Sequence, residues 1–357
     1  MKNKKLDFLE FKESYSKLLR DFNERIKNTN LNFPHPNNWF FKKKDIINND
    51  YFIVVENNKF IRAVVAIKNQ QYLINGKEIN FKDIQLPISE SIIDRKFLFQ
   101  NLFFFSKIVN LSSHMHGLGM GGLNEPLPKI LSKLKFKKYL IPFFIFPISI
   151  KKTLYIYLKR KKINFPSQIL EILSPIDFCY KFLINFSQNI SNKIRLEEFN
   201  LFAKKDDELW DKVKCNFDLI SVKNKINLNL VYNSKRFDLL KIRIYENKEY
   251  LGWMVLKITK HKNSNHFFDS KTCTIVDMLC KKIHYNILIK EIKKISLKHN
   301  CDVILVNSTN VDFNINLKNN FFININSNFG FVFKSSETIN INKSWITRGD
   351  GDGPINL

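Results

Sequence analysis

The chain has 357 residues, of which 44% are hydrophobic and 25% charged, a composition that is typical of a globular protein and excludes an intrinsically disordered one. The formal net charge of +25 suits a polyanionic small molecule or an anionic membrane surface. Lysine and asparagine are abundant along the whole chain while glycine and alanine are scarce, so we interpret much of the charge as compositional and do not expect a nucleic-acid ligand.

The cysteine pattern and the apolar runs limit the remaining protein classes. The five cysteines form no CxxC pair and have no histidine at metal-ligand spacing, so we predict free thiols and no metal site. The segment Met1–Arg20 is charged and lacks the apolar core of a signal peptide. The most apolar run, Tyr139–Ile150, contains two prolines and is shorter than the roughly 20 residues of a membrane-spanning helix. The sequence therefore predicts a cytoplasmic protein.

The first half predicts a helix followed by a strand-rich segment. Apolar residues at helical spacing predict a helix from Leu6 to Lys27. Asn57-Asn58 and Asn75-Gly76 are typical of hairpin turns. The elements predicted after Pro36 are, in order, strands Tyr51–Glu56, Phe60–Ile74 and Ile79–Ile88, helix Arg95–Asn110, a short strand ending in the glycine cluster Gly117–Gly122, helix Pro126–Lys135, and a closing strand pair in Phe136–Ile148.

The second half predicts the same order of elements. These are strands Leu239–Tyr245, Tyr250–Thr259 and Thr272–Leu279, helix Tyr285–His299, strand Asp302–Asn307, helix Asp312–Asn319, and a closing pair in Phe321–Phe333. Corresponding elements stay about 190 residues apart, and two unrelated domains would not keep one offset, so the sequence indicates an internal duplication.

We predict a first domain at 1–150, a helical linker at 151–191 and a second domain at 192–357. In the linker the basic run Lys159–Lys162 precedes the apolar stretch Phe178–Phe186. This pattern is typical of a helix pair with a solvated basic face, or of a segment that lies on an anionic membrane.

The order of hairpin, long strand, helix, strand, short helix and closing strand pair resembles that of the GNAT-type N-acyltransferases. The similarity is closer to tandem GNAT-like proteins associated with bacterial surface-polysaccharide genes. The segments that carry it are Leu86–Glu90 (LPISE) with Asp94-Arg95, Leu118–Pro128 (LGMGGLNEPLP), Leu251–Trp253 (LGW) and Thr347–Pro354 (TRGDGDGP). The resemblance covers nearly the whole chain and implies an α/β fold with mixed sheets, arranged as two successive GNAT-like domains.

The resemblance also implies an acyl donor, acetyl-CoA or another acyl-CoA. In the family two neighbouring parallel strands separate, the gap takes the pantetheine arm, and the loop after the fourth strand binds the pyrophosphate at a helix N-terminus. That loop corresponds to Ser89–Lys96 in the first copy and Cys280–His284 in the second. The implied cofactor-binding residues are Leu86, Ile88, Ser89, Arg95 and Lys96. Neither loop contains the glycines of the family pattern RxxGxG/A. The first loop contains the cations Arg95 and Lys96, which favour the first copy as the cofactor-binding one.

Acyl transfer to an amine needs a group that accepts the ammonium proton. Glu90 and Asp94, just past a predicted strand end, are the predicted bases, and capping of the following helix is their alternative role. Asp277 lies in an otherwise apolar strand, so it is either paired or functional. His116, on the same strand face as His114, is a further candidate for a base or a substrate contact.

A third set of residues is predicted to contact the substrate or to fold over it. These are Gly119, Gly121, Gly122, Asn307, Arg348, Asp350 and Asp352. A solvated tail is the alternative for the last three. The leading hypothesis is an acyl-CoA-dependent N-acyltransferase that modifies the amino group of a sugar nucleotide or a related precursor of cell-surface polysaccharide. Two hypotheses stay open beside it: a Fem-type aminoacyl transferase that uses aminoacyl-tRNA, and a degenerate GNAT-like pair that binds without chemistry.

Overall fold

The structure is a computed structural model that describes residues 5–39, 41, 43, 45–163, 171–188, 194–233 and 238–351. Its strands are β1 Leu6–Glu10, β2 Asn48–Glu56, β3 Phe60–Ile74, β4 Lys77–Ser89, β5 Met115–Gly119, β6 Lys137–Leu140, β7 Phe143–Pro147, β8 Ile194–Glu198, β9 Leu219–Ser221, β10 Leu240–Glu246, β11 Glu249–Lys260, β12 Lys271–Cys280, β13 Val303–Asn307, β14 Ile323–Ile325, β15 Gly330–Lys334 and β16 Ser344–Trp345. Its α-helices are α1 Ser16–Ile26, α2 Leu98–Ile108, α3 Pro126–Lys133, α4 Ile150–Arg160, α5 Ser174–Gln188, α6 Lys204–Val213, α7 Lys225–Val231, α8 Tyr285–Lys298 and α9 Val311–Asn319.

The chain forms two compact units. The first comprises Met1–Tyr139 and Gly330–Ile339, and the second comprises Leu140–Phe329 and Asn340–Leu357. The sheet of the first unit has the strand order β1-β2-β3-β4-β5-β15-β6, and that of the second has the order β14-β7-β13-β12-β11-β10-β8. β4 pairs in parallel with β5, and β12 with β13, each between antiparallel neighbours, and the short strands β9 and β16 also pair in parallel. The predicted α/β class with mixed sheets is confirmed.

The last strand of each half lies in the sheet of the other unit. The sequence predicted closing strand pairs in Phe136–Ile148 and in Phe321–Phe333, and this prediction is wrong. β6 and β7 lie in different sheets, as do β14 and β15: β15 is inserted between β5 and β6, and β7 between β13 and β14. The two insertions occupy equivalent positions, which supports the duplication. As a result the first unit comprises 1–139 together with 330–339, whereas the sequence predicted domains at 1–150 and 192–357 with a linker between them.

Helices cover both faces of the first sheet. α1 buries Leu19, Phe22 and Ile26 against one face, and α2 packs Phe104 and Ile108 against the other. The predicted helix from residue 6 to residue 27 is correct only in its second part, because β1 pairs antiparallel with β2 before α1 begins. The apolar residues of β1 fit helical and strand periods alike, and the strand pairing decides between them.

The second sheet repeats this arrangement with elements that the sequence left unassigned. β8 and α6 correspond to β1 and α1 at the offset of about 190 residues. At the centre, a Cβ on Gly252 would lie 2.3 Å from the carbonyl oxygen of Leu279, so glycine permits the close approach of β11 and β12. The neighbouring Trp253 is fully buried. The LGW segment is therefore part of the core of the second unit.

Part of the predicted linker 151–191 forms α4 and α5, and residues 164–170 and 189–191 lie outside the described residues. Both helices belong to the second unit. Ser149 begins α4 as its N-cap by accepting a hydrogen bond from the Lys152 amide at 3.1 Å, and its hydroxyl donates to Asp177 of α5 at 3.1 Å. In the described part of the chain, every helix is too short or too polar to cross a bilayer.

Candidate active site

The parallel strands β4 and β5 separate in the first unit. They are paired at Lys82↔Met115 and Asp83↔His116. Beyond these two pairs β4 continues to Ser89, hydrogen-bonded on its other side to β3. The carboxyl ends of β4 and β5 are therefore not paired with each other. We refer to this break in the sheet as the gap, and an extended ligand can be held there as an added strand.

A β-bulge marks the same point in β4. Leu86 has a φ of 46°, a left-handed conformation that is costly for a bulky residue. Opposite it, the register of β3 with β4 shifts between Val64 and Ala66. Strained residues of this kind cluster at functional sites. The predicted cofactor-binding residues Leu86, Ile88 and Ser89 thus lie on the bulged end of β4, beside the gap.

Three glycines turn the chain from β5 towards α3. Gly119, Gly121 and Gly122 have φ values of 90°, 75° and 121°, a region that suits glycine. The turn leads into Pro126 at the start of α3, where a missing N–H is harmless. These glycines, predicted to contact substrate, shape the turn at the end of β5.

A buried polar cluster lies at the last paired position of β4 and β5. His116 is fully buried, and its Nδ1 lies 3.5 Å from Oδ1 of Asp83. Asp83 lies 3.4 Å from the Lys68 ammonium and accepts a hydrogen bond from Gln85 at 3.1 Å. The imidazole packs edge-on against Tyr72. A nearby carboxylate complements the positive charge of an imidazolium, the form that a histidine takes after it accepts a proton. Among the predicted catalytic residues, His116 combines such a partner with a place at the strand separation.

Glu90 and Asp94 are held by cations of their own. The Glu90 carboxylate is 1% exposed and accepts hydrogen bonds from Arg25 and, at 2.5 Å, from Arg62. Asp94 caps the turn before α2, accepting from the Lys96 amide at 2.9 Å, and the hydrogen bond from the Lys96 side chain lowers the pKa of Asp94. Ion pairing therefore accounts for Glu90 and capping for Asp94, and neither arrangement favours a general base.

Arg95 and Lys96 lie in the 3₁₀ turn that leads into α2, and both are exposed. A helix N-terminus carries N–H groups without intrahelical partners and a partial positive charge. Together with the two cations, this end of α2 can hold a pyrophosphate. Charge is thus present where the family pattern has glycine.

β12 and β13 separate in the second unit as well. They are paired as far as Ile275↔Val306, and β12 continues beyond this point. The segment Ser344–Asp350 packs there: the amide of Thr309 donates to the carbonyl of Ile346 at 3.2 Å, and the amide of Ile346 donates to the Thr309 hydroxyl at 2.9 Å. The chain's own carboxyl-terminal segment therefore lies against the separated end of β12.

Asp277 connects this segment to β12. Its buried carboxylate accepts hydrogen bonds from Lys223 at 2.5 Å, Tyr232 at 2.9 Å, Thr347 at 3.3 Å and Trp345 at 3.4 Å. Burial raises the pKa of Asp277. Burial also acts to lower the pKa of Lys223, but the nearby carboxylates outweigh it and raise that pKa above its ordinary value. Asp277 is thus paired, within a network that fixes the carboxyl-terminal segment.

Of the predicted tail residues, Asp350 is buried and Arg348 is half-buried, so neither belongs to a solvated tail. Asp350 is 2% exposed, and the Arg348 guanidinium donates to the Asn307 side chain at 2.7 Å. Burial lowers the pKa of Arg348 to about 10. A Cβ on Gly349 would lie 2.0 Å from the Tyr232 hydroxyl, so a glycine is required between them. Packing therefore explains the Arg-Gly-Asp sequence at this position.

The predicted site residues fall into two groups. Those on β4, on the turn after it and on β5 are Leu86, Ile88, Ser89, Glu90, Asp94, Arg95, Lys96, His116, Gly119, Gly121 and Gly122. Those at the separated end of β12 are Asp277, Asn307, Arg348 and Asp350, and Asp352 lies outside the described residues. Lys223 was missed, because in a chain with 58 lysines and arginines one more lysine carries no signal. The apolar residues of 219–222, which precede Lys223, were the one sequence feature that indicated burial of this lysine.

The described residues contain no group of three or more metal-binding side chains. The cysteines are free, and Cys273, Cys280 and Cys301 are buried. Burial raises the pKa of the Cys280 thiol well above its ordinary value, which is typical of an inert structural cysteine.

The sequence matches no protein-family model and no curated protein. Solved structures of similar fold include the N-myristoyltransferase of Saccharomyces cerevisiae with bound myristoyl-CoA, at 12% identity and a TM-score of 0.50 over 95% of this chain and 88% of that one. A GCN5-related N-acetyltransferase from Anabaena variabilis matches at 8% identity and a TM-score of 0.54, over 92% of this chain and 72% of that one. A probable N-acyltransferase from Enterococcus faecalis matches at 7% identity and a TM-score of 0.55, also over 92% of this chain and 72% of that one. At these identities the likeness concerns the fold, and the chain has the fold of two successive GNAT-like units.

Proposed function

We propose that the chain is an acyl-CoA-dependent N-acyltransferase whose donor binds at the separation of β4 and β5. The observation that carries this proposal is the bulged, diverging end of β4 in the first unit, since the equivalent end of β12 is packed against the chain's own carboxyl-terminal segment. The pantetheine arm would lie along β4 at Leu86, and Arg95 and Lys96 would hold the pyrophosphate. The myristoyl-CoA bound in a structure of similar fold supports an acyl-CoA as the donor.

The proposed reaction forms an amide. The amine nitrogen of the acceptor attacks the thioester carbonyl, the C–N bond forms, the C–S bond breaks, and the CoA sulfur leaves and takes up a proton. His116, whose Nδ1 lies 3.5 Å from the Asp83 carboxylate, is the residue that we propose to accept the ammonium proton. Glu90, Asp94 and Asp277 keep the structural partners described above.

For the acceptor we propose the amino group of a sugar nucleotide or a related precursor of cell-surface polysaccharide, with acetyl-CoA as a donor and a cytoplasmic location. The support is the sequence resemblance, carried by Leu86–Glu90, Leu118–Pro128 and Thr347–Pro354. A sugar nucleotide also carries phosphates, which suit a protein of net charge +25.

The test is a thermal-unfolding titration with acetyl-CoA. A ligand that binds the folded state at a hundredfold excess over its Kd stabilises it by about 2.7 kcal/mol. The Arg95→Ala/Lys96→Ala variant is expected to lose most of this stabilisation. The matched control, Lys17→Ala/Arg20→Ala, removes the same charges from the exposed side of α1 and is expected to keep it. Release of free CoA thiol in the presence of UDP-glucosamine then measures turnover.

Two competing functions give different results in these assays. Stabilisation by acetyl-CoA with no release of thiol for any amino sugar would favour the degenerate binding protein. Absence of stabilisation at millimolar acetyl-CoA, together with a steeply salt-dependent affinity for aminoacyl-tRNA, would favour aminoacyl transfer. The net charge of +25 is the observation that keeps the second possibility open.

A further inference from the structure

The outer face of α5 exposes a row of large apolar side chains. Phe178 is 73% exposed, Phe182 61%, Leu183 62% and Phe186 66%. Their spacing places them along one side of the helix, and the rings of Phe182 and Phe186 lie nearly parallel, 6.4 Å apart. Single exposed apolar residues are ordinary, but a contiguous row marks an interaction surface. We refer to these four residues as the α5 face.

A groove of about 470 Å³ lies beside this row, between α5 and α8. Apolar and basic side chains line it together: Phe178, Phe182 and Leu297 with Lys181, Lys294 and Lys298. Lysine can lay its methylene stem along an apolar surface while its ammonium group reaches outward. Such a pairing of aromatic rings with lysines is typical of helices that lie in the interface of a bilayer.

The charge around the α5 face is positive. α4, which packs against α5, carries the basic residues Lys151, Lys152, Lys159 and Arg160 and has no acidic residue in its sequence. Ion pairs compensate part of this charge: Asp177 lies 2.9 Å from Lys181, Glu291 lies 2.8 Å from Lys294, and Glu171 lies 2.5 Å from Lys151. In the described part of the chain Lys152, Lys159, Arg160 and Lys298 have no such acidic partner, so a positive charge is left over. An anionic surface is therefore complementary to this side of the second unit.

We propose that the α5 face docks on an anionic lipid membrane. The phenylalanine rings enter the headgroup boundary, and the surrounding lysines contact the lipid phosphates. Each basic residue near a charged bilayer strengthens binding about fivefold. A second copy of the chain is a poorer occupant, because two such faces would bring lysines against lysines. This docking goes beyond acyl transfer and does not depend on it.

The test measures co-sedimentation of the full chain with vesicles of phosphatidylcholine alone and with vesicles that also contain phosphatidylglycerol. The wild type is expected to bind the anionic vesicles at least tenfold more strongly. Phe182→Asp/Phe186→Asp is expected to lower this binding by about tenfold or more. Lys298→Gln is expected to lower it by about fivefold on anionic vesicles. The control Ile226→Asp, at a 58% exposed position of α7, leaves binding unchanged.

Circular dichroism and thermal unfolding verify that each variant is folded. Equal binding of the wild type to both vesicle types, or no binding to either, would overturn the proposal. So would a wild-type dimer in size-exclusion chromatography that the phenylalanine variant makes monomeric while vesicle binding persists, because the α5 face would then join two copies of the chain. Loss of binding in Ile226→Asp as well would show that the α5 face is not the docking surface.

Discussion

Replacing Lys223 by methionine removes a cation that faces two buried carboxylates. The ammonium group is 2% exposed and lies 2.5 Å from Asp277 and 3.8 Å from Asp350. Methionine keeps most of the apolar stem but neither the charge nor the hydrogen bonds. Because an uncompensated buried charge remains, removing one partner of a buried ion pair costs about 3–5 kcal/mol. We expect the free energy of unfolding at neutral pH to fall by this amount.

The same perturbation predicts two further quantities. At roughly 2–4 °C per kcal/mol for a unit of this size, Tm falls by roughly 6–20 °C. The loss also depends on pH. Burial already raises the pKa of Asp277, and without Lys223 the carboxyl group is protonated more readily in the folded state. The folded variant then binds a proton that the unfolded chain releases, so its deficit is smaller at about pH 5 than at about pH 7.

Urea unfolding of the wild type and Lys223→Met at both pH values measures these effects. Adding Asp277→Asn to the variant removes one of the two carboxylates and is expected to recover part of the loss. The control Lys225→Met changes a lysine with a 45% exposed side chain nearby, and its effect is expected to stay within about 0.5 kcal/mol. A loss below about 1 kcal/mol for Lys223→Met, equal at both pH values, would refute the buried ion-pair network.

Three further predictions concern single positions. Gly349→Ala would place a methyl group 2.0 Å from the Tyr232 hydroxyl and is expected to lower the unfolding free energy in urea by about 1–3 kcal/mol; an unchanged midpoint would contradict this packing. The unfolding free energy of Leu86→Gly in urea is expected to stay within about 1 kcal/mol of the wild-type value, because glycine accepts a φ of 46°. Leu86→Val is expected to lower this free energy further, because a branched Cβ disfavours that conformation. Burial lowers the pKa of Lys293 to about 8, so the folded state binds fewer protons than the unfolded chain between that value and the ordinary lysine pKa. The unfolding free energy therefore rises with pH across this window, by about 3 kcal/mol, and in Lys293→Met this rise is absent.

The sequence predicted local elements well and long-range pairing poorly. β3 has the predicted bounds, because Asn57-Asn58 and Asn75-Gly76 enclose it and all four residues adopt positive φ as hairpin turns require. The exchange of β7 and β15 was missed, since a strand's pattern shows which face is buried but not which distant strand it joins. The order of elements was sufficient to predict the fold class, whereas the strand order of each sheet is seen only in the three-dimensional structure.

The site divides in the same way. Asp277 was identified because a carboxylate in an apolar strand needs a partner, but its partner Lys223 is one of many lysines. The contact of His116 with Asp83 depends on the parallel register of β4 and β5, which no local signal specifies. The left-handed backbone conformation of Leu86 could not be predicted from the sequence either, because the residues that usually adopt this conformation are glycine and asparagine.

The exchanged strands set the order in which the protein can be completed during synthesis. β15 lies between β5 and β6, yet it is synthesised about 190 residues after β6. At translation rates of 5–20 residues per second, roughly 10–40 s separate the emergence of β6 from that of β15. Throughout this interval the nascent sheet presents the open edge of β5, a template for intermolecular aggregation. A chain divided between the halves would leave each sheet without the strand that the other half supplies, so we expect neither half to fold as a separate protein.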